Sequence, residues 1–293
     1  MKQYFYGENR KGPYFEGWYF KCQTKNGESI ALIPAMHISD KGEKCASIQI
    51  ITANRSWYLE YPASSFYASR DVLDIVLAGN SFSESGLCIH IEQNDIFLHG
   101  NISFGAFTCL NSDIMGPFRI FAGMECSHSV ISMAHALEGK LVLGDRILDF
   151  SGGFGYIEGD RGKSFPSSYL WTQCMWEDCS LMLAIADIPI AKLHFTGCIC
   201  SIKLDGREYR LATYRGAKVL DFSGKGACLH QGRYRFYVEL LDQNSQELRA
   251  PKAGKMQRTV HESVVASVRY RLSKDGKLLL DRISSVAGFE YSG

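Results

Sequence analysis

The sequence lacks an excess of charge of either sign, a long apolar run and an apolar leader. Its 293 residues carry 32 basic and 31 acidic side chains, a net charge of +1, which gives no reason to expect a nucleic acid partner. No run of about 18 apolar residues is present, so the sequence predicts no membrane-spanning helix. Residues 1–8 contain no apolar signal core. Together these absences predict a cytoplasmic protein.

Metal-binding motifs are also lacking. Ten cysteines would indicate disulfides in a short secreted protein, but in a long chain without an export signal they predict reduced thiols. Cys198 and Cys200 alternate along a predicted strand and point to one face, as small buried side chains do. Neither this pair nor Cys174 with Cys179 has the C-x2-C spacing of a zinc site. The eight histidines form no H-x3-H or HExxH group, so we expect no metal.

A nucleotide site is excluded at residues 155–166 (GYIEGDRGKSFP), although Gly162-Lys163-Ser164 resembles the end of a P-loop. That motif needs a glycine where Ile157 stands. It also needs a helix to follow, whereas Phe165-Pro166 disfavours helical geometry before the proline. The segment instead predicts the inner lining or rim of a β-barrel.

Alternation of apolar and polar residues, the period of a β-strand, dominates the chain. It predicts strands at 233–240 and 264–272. Asn26-Gly27, Asp205-Gly206 and Asp275-Gly276 lie between apolar runs and tolerate the positive φ angles of hairpin turns.

Two complete hairpins follow from this pattern. Residues 199–214 turn at Asp205-Gly206, and residues 137–150 turn near Gly144-Asp145. Long helical periodicity is missing, and the best helix candidate is the short segment 127–137.

Hairpins joined by glycine-rich turns predict an all-β fold made of antiparallel barrels or sandwiches. A barrel of about eight strands needs roughly 120 to 150 residues and holds one small apolar ligand. The chain is long enough for two of them packed together. The joint is predicted at Ser151-Gly152-Gly153, which gives an N-terminal domain of residues 1–152 and a C-terminal domain of residues 153–293.

Carboxyl groups lie among aromatic residues in two segments. Alternation places Tyr14, Glu16, Trp18 and Phe20 on one face of a strand, and Phe15, Tyr19 and Lys21 on the other. A glutamate among aromatic rings needs either an ionic partner, such as an arginine, or a raised pKa. Trp171, Gln173 and Met175 likewise share one face, opposite Thr172 and Trp176.

The residues in these segments resemble the tocopherol cyclase family. Residues 14–20 (YFEGWYF) are similar to its F-E-G-W-Y-F signature. Residues 156–166 (YIEGDRGKSFP) and 171–173 (WTQ) are similar to its central Y-x-E-K-x-W-G-x-x-F-P…W-x-Q block. Residues 248–251 (LRAP) resemble its late L-R-A-P segment, in the same order along the chain.

The resemblance implies two lipocalin-like β-domains and a cyclase that closes a chromanol ring on a prenylated quinol or another lipophilic isoprenoid. It implies no redox cofactor. Such an acid-catalysed reaction requires a carboxyl group that stays protonated in an apolar pocket, with aromatic faces that stabilise a carbocation. We expect Glu158 to be the acid, with Asp160 and Glu16 as further candidates. The expected substrate-binding residues are Trp18, Tyr156, Phe165, Tyr169, Trp171 and Gln173.

The central block departs from the family pattern at two positions, because Gly159 and Arg161 stand where the family has Lys and Trp. Arg161 beside Asp160 is expected to keep that carboxyl ionised. A structural ion pair of Glu158 or Asp160 with Arg161 or Lys163 is the alternative to an acid role. Two other functions stay open: a carrier of an apolar small molecule, and an interaction module with filled barrels. Peripheral contact with a membrane is a further expectation.

Overall fold

A computed structural model of the chain describes residues 3–93, 95–120, 124–190 and 193–293. The chain is almost entirely β, arranged in two large antiparallel sheets. Three short 3-10 turns, Ala63–Ser65, Gly116–Ile120 and Thr213–Arg215, interrupt the strands. This architecture confirms the predicted fold class.

The first sheet contains the strands of the N-terminal part of the chain. Their spatial order is β4-β3-β2-β1-β12-β10-β9-β8-β7-β6-β5, with β11 paired to β10. The strands are β1 Tyr14–Gln23, β2 Ser29–Ile38, β3 Lys44–Thr52, β4 Ser56–Pro62, β5 Phe66–Ala68, β6 Asp74–Leu77, β7 Asn80–Ser83, β8 Gly86–Gln93, β9 Ile96–Phe104, β10 Cys126–Leu143, β11 Arg146–Asp149 and β12 Gly153–Gly162.

The second sheet contains the strands of the C-terminal part. Their order is β16-β15-β14-β13-β22-β21-β19-β18-β17, with β20 paired to β21. The strands are β13 Tyr169–Met175, β14 Cys179–Ile190, β15 Leu193–Leu204, β16 Arg207–Ala212, β17 Lys218–Ser223, β18 Gly226–Gln231, β19 Tyr234–Asp242, β20 Gln246–Lys252, β21 Lys255–Lys274 and β22 Lys277–Ser292.

Each sheet carries its own apolar core. In the first sheet, Leu59 of β4 and Ile75 of β6 belong to one core with Phe20 of the central strand β1, so strands from both ends of the order meet in the same interior. Among the described residues the ladder does not close, because β4 and β5 end the order without pairing to each other. Phe236 and Tyr270 stack in the core of the second sheet.

A third core lies between the two sheets. The first sheet contributes Tyr19, Met133 and Tyr156, and the second contributes Trp171 and Val260. Because side chains alternate along a strand, one face of β1 packs into the first core while the other packs against the second sheet. The region between the sheets is therefore built from the same strands that the sequence singled out.

The predicted hairpins are confirmed, whereas the predicted helix is wrong. The chain turns at Asp205-Gly206 between β15 and β16, and at Gly144-Asp145 between β10 and β11. Residues 127–137 lie inside the long strand β10, which pairs with β9, β11 and β12. Shifts of register at Val130/Ser132 and Ser132/His135 break the alternation that identifies a strand in the sequence.

The chain passes from the first sheet to the second between β12 and β13. Strand β12 starts at Gly153 and still belongs to the first sheet, between β1 and β10. The division into domains after residue 152 stays a prediction. All ten cysteines are free, and Cys198 and Cys200 are both buried in the second core. Within the described residues, no helix is long and apolar enough to cross a membrane.

Candidate functional site

A cavity of about 210 Å³ lies between the two sheets. Strands and the segment before β13 contribute six of its aromatic side chains: Phe15, Trp18, Tyr19, Phe165, Tyr169 and Trp171. Met115 and Phe118, from the connection between β9 and β10, line it as well. Ionisable side chains also reach it, among them His128, Glu158, Asp160, Glu262 and Glu290. The cavity thus combines an aromatic wall with a group of carboxyl side chains.

The register of three strands brings the first part of this group together. Strand β12 pairs with β1 on one side, where Glu158 is opposite Tyr19, and with β10 on the other, where Asp160 is opposite His128. Glu158 and Asp160 are two residues apart and share a face. Tyr156 shares that face and belongs to the core between the sheets.

Glu158, His128 and Asp160 form a buried chain of polar contacts. His128 Nδ1 lies 3.0 Å from Asp160 Oδ1, and His128 Nε2 lies 3.3 Å from Glu158 Oε2, outside hydrogen-bond geometry. Glu158 Oε2 also accepts hydrogen bonds from Tyr156 at 2.5 Å and from Trp171 Nε1 at 3.1 Å. Burial alone would lower the pKa of His128, but the carboxylates of Glu158 and Asp160 outweigh it and raise this pKa well above its usual value.

The second part of the group is a pair of glutamates on neighbouring strands. Glu262 of β21 is opposite Glu290 of β22, and both are buried. Tyr19 donates a 2.6 Å hydrogen bond to Glu262, and Tyr169 donates one to Glu290. Burial and then the neighbouring Glu290 raise the pKa of Glu262 well above its usual value. Burial raises the pKa of Glu290 to about 7.

These two parts differ in their charged neighbours. His128 lies within ion-pair distance of both Glu158 and Asp160. In the part of the chain that the structure describes, no cationic side chain forms an ion pair with Glu262 or Glu290. The charge of buried Lys21 lowers the pKa of Glu262, but burial and the neighbouring Glu290 outweigh it and favour the protonated form. Glu262 is therefore the carboxyl group best suited to hold a proton in the cavity.

Three residues of the site could also hold a metal ion. The ligand atoms of His128, Glu158 and Asp160 lie within 4.8 Å of one another. The Nδ1 atom of His128 is already engaged with Asp160, and Glu158 Oε2 already accepts hydrogen bonds from Tyr156 and Trp171. The expectation of no metal stays a prediction.

Glu16 and Arg161 lie on the opposite face from Asp160. Arg161 stacks 3.9 Å from the ring centroid of Tyr6 and is opposite Glu16 in the pairing of β12 with β1. The expected effect of Arg161 on Asp160 is therefore corrected: adjacent residues of a strand point to opposite faces, and the partner of Asp160 is His128. Neither Arg161 nor Lys163 forms the expected ion pair with Glu158.

Glu16 lines a second, smaller pocket beneath the N-terminal segment, and His128 and Asp160 line this pocket as well as the main cavity. Both carboxyl oxygens of Glu16 accept from the backbone N–H of Tyr6, at 2.9 and 3.2 Å, and Tyr14 donates at 2.8 Å. Burial raises the pKa of Glu16 to about 7. The sequence analysis expected either an ionic partner for this glutamate or a raised pKa, and the structure shows the raised pKa. The structure does not bring Glu16 together with Glu158 and Asp160 in the main cavity.

The predicted substrate-binding residues have different positions. Trp18, Phe165, Tyr169 and Trp171 line the cavity. Tyr156 is fully buried and reaches the site through its hydrogen bond to Glu158. Gln173 is also fully buried, and neither atom of its amide has a hydrogen-bond partner among the described residues. Their roles in binding stay predictions.

The sequence analysis did not identify His128, Glu262 or Glu290. His128 and Asp160 are 32 residues apart in the sequence, and they meet only through the pairing of β10 with β12. Glu262 and Glu290 come from the last two strands and meet Tyr19 near the start of the chain. The one available signal was a glutamate at a position where the alternation of the strand places a buried, apolar side chain.

Comparisons of the sequence with known proteins match only part of the chain. No protein-family model matches the sequence. An uncharacterised protein of Acanthamoeba polyphaga mimivirus is 26% identical over 117 residues, which are 38% of this chain and 29% of that protein. The chain thus matches less than a third of the length of that relative.

Solved structures share the fold over nearly the whole chain. CghA, crystallised with Sch210972, has a TM-score of 0.64 at 10% identity, covering 96% of this chain and 89% of that one. Kievitone hydratase from Nectria haematococca has a TM-score of 0.57 at 12% identity, covering 98% and 93%. A protein assigned as ATTH from Nitrosomonas europaea has a TM-score of 0.52 at 12% identity, covering 94% and 90%. These likenesses show a common lipocalin-like fold.

Proposed function

We propose that the chain is a general-acid enzyme of the tocopherol cyclase-like type, which protonates an alkene of a lipophilic substrate and thereby starts ring closure or hydration. The observation that carries this proposal is Glu262. It is a buried carboxyl group without an ion-pair partner among the described residues, its pKa is raised, and it faces a cavity walled by aromatic rings.

The proton transfer follows from the contacts of Glu262. Its Oε1 accepts from Tyr19, so the acidic proton is on Oε2. The π electrons of the alkene take this proton, which leaves the glutamate as a carboxylate and the substrate as a tertiary carbocation. A hydroxyl of the substrate, or water in a hydratase, adds to the cation and then loses a proton that returns to Glu262. Ring closure is then an isomerisation, and hydration adds one water molecule.

The walls of the cavity are suited to stabilise the cation. Tyr19 and Trp171 pack edge to face with ring centroids 5.3 Å apart. Each desolvated aromatic face stabilises a cation by about 1 to 2 kcal/mol. When His128 is protonated between two carboxylates, that group carries one net negative charge beside the cavity. We assign it to stabilisation of the cation, and we assign the acid role to Glu262.

The nature of the substrate comes from the resemblance and from the cavity. A prenylated quinol or another isoprenoid has the alkene that the acid requires and an apolar body that the aromatic wall can bury. Among the proteins of this fold, one is by its name a hydratase, of kievitone. This supports addition to an unsaturated substrate as a reaction that the fold can host. A lipophile of this kind would reach the chain from a membrane surface.

Turnover by matched variants tests the proposal. Purified protein is incubated with a panel of prenylated hydroquinones, and products are measured by liquid chromatography with mass spectrometry. Glu262→Gln should lower turnover by at least about 100-fold, since it removes the general acid. Glu158→Gln, which tests the acid expected from the resemblance, should lower it less. Glu16→Gln is the control, because Glu16 is a buried carboxyl group outside the main cavity.

The acid assignment also predicts the pH dependence. The active form of Glu262 is protonated, so turnover should fall as pH rises through the raised pKa of Glu262. Full turnover by Glu262→Gln would refute the assignment. If the wild type binds these quinols without converting any of them, the carrier function is supported instead.

A further inference from the structure

The cavity is also lined by a buried histidine, one of whose ring nitrogens has no hydrogen-bond partner among the described residues. His37 of β2 lines the cavity and is only 1% exposed. Its Nε2 lies 2.8 Å from Ser47 Oγ, and its Nδ1 has no hydrogen-bond partner among the described residues. A buried polar atom without a partner is costly, so this nitrogen is a candidate to bind a polar group of a ligand.

The neighbours of His37 determine which hydrogen bond it can make. A serine hydroxyl can either donate to Nε2 of His37 or accept a hydrogen bond from Nε2–H. In the tautomer that we infer, Nε2–H of His37 donates to Ser47. This leaves a lone pair on Nδ1. Burial lowers the pKa of His37 to about 4, so at neutral pH the ring is uncharged and Nδ1 is an acceptor.

The strand register separates His37 from the contact of Tyr19 with Glu262 along β1. His37 is opposite Phe15 on β1, and Phe15 and Tyr19 point to the same face. Tyr19, which donates to Glu262, is four residues further along β1, or about 13 Å at the rise of a β-strand. Phe15 lines the cavity between these two points.

We propose that His37 Nδ1 accepts a hydrogen bond from a hydroxyl group of the substrate. The substrate is then a lipophile with a hydroxyl at one end and the reacting alkene at the other. This rests on the proposed function for the position of the alkene, whereas recognition of the hydroxyl does not need turnover. His37 is thus a specificity-determining residue that sets which end of the ligand faces Glu262.

Binding of farnesol and its methyl ether tests the inference, because the ether keeps the oxygen but cannot donate a hydrogen bond. Isothermal titration calorimetry of the wild type should give about tenfold tighter binding of farnesol, the typical contribution of one buried hydrogen bond. His37→Leu should reduce the ratio of the two affinities to about one. Ser47→Ala should reduce it as well, since it frees the ring to change tautomer.

His135→Leu is the matched control. His135 is also buried and bonded to a serine, Ser132, at 2.9 Å, but it packs against Phe104 and Phe107 instead of the cavity. The His135→Leu variant should have the same ratio of affinities for farnesol and its methyl ether as the wild type. Ser47→Ala keeps the test valid if His37→Leu does not fold.

Two results would overturn the inference: equal or unmeasurable binding of both ligands by the wild type, or an unchanged preference in His37→Leu and Ser47→Ala. Failure of the proposed function would give a different result in these experiments. A wild type that prefers farnesol through His37 but converts no alkene contradicts the acid mechanism and supports the hydroxyl site.

Discussion

Replacing Glu16 by glutamine should change the pH dependence of stability by an amount that the structure fixes. Glu16 is buried beneath the N-terminal segment, and burial raises its pKa from 4.5 to about 7. The folded state thus holds a proton that the unfolded state releases above pH 4.5. Stability from this group is present below about pH 4.5 and is lost as pH rises through 7.

The magnitude follows from the two pKa values. One pKa unit corresponds to about 1.4 kcal/mol. Between pH 5 and pH 8 the wild type should lose about 2.5 kcal/mol of unfolding free energy through Glu16. Glutamine cannot ionise, so Glu16→Gln should not show this loss.

The assay is urea denaturation of both proteins across that pH range, followed by circular dichroism. The difference in unfolding free energy between Glu16→Gln and the wild type should shift in favour of the variant by about 2.5 kcal/mol as pH rises. Glu28→Gln is the control, because Glu28 is an exposed carboxyl group paired with Arg146. Parallel pH profiles of Glu16→Gln and the wild type would refute the reasoning.

The remaining predictions concern Trp171 in the wall of the cavity and residues 111–118, of which Met115 and Phe118 line it. Trp171→Ala should weaken binding of an apolar ligand about tenfold, because it removes a large aromatic surface from the wall; equal affinity in calorimetry would count against a role in binding. Arg210→Met should raise hydrogen exchange of residues 111–118 and cost about 3 kcal/mol of stability, since buried Arg210 pairs with Glu208 and binds the carbonyls of Ser112 and Asp113. Unchanged exchange there, or an equal loss in the exposed Arg55→Met, would contradict this.

Much of the fold could be predicted because its signals are local. The pairs Asp205-Gly206 and Asp275-Gly276 carry the turn chemistry in two adjacent residues, and both form hairpin turns. The faces of β1 were also predicted correctly, since alternation needs only neighbouring residues. The segment 127–137 was misread as a helix because two register shifts in β10 hide its alternation.

The candidate site was only partly predictable, because its residues come from distant strands. Glu158 and Trp171 both stand in the segments that resemble the central block of the tocopherol cyclase family, and the structure joins them by a hydrogen bond. Glu262 carries no such local signal. Its neighbours Tyr19 and Glu290 become apparent only when β1, β21 and β22 are placed together.

Infrared difference spectroscopy gives the most direct test of the claim that a protonated carboxyl group persists in this cavity. The spectrum of Glu262→Gln is subtracted from that of the wild type in deuterated buffer at pH 7. Since the pKa of Glu262 is raised well above its usual value, the account predicts a carbonyl-stretch band of a protonated carboxylic acid that the variant lacks. A difference spectrum with only the bands of an ionised carboxylate would contradict it.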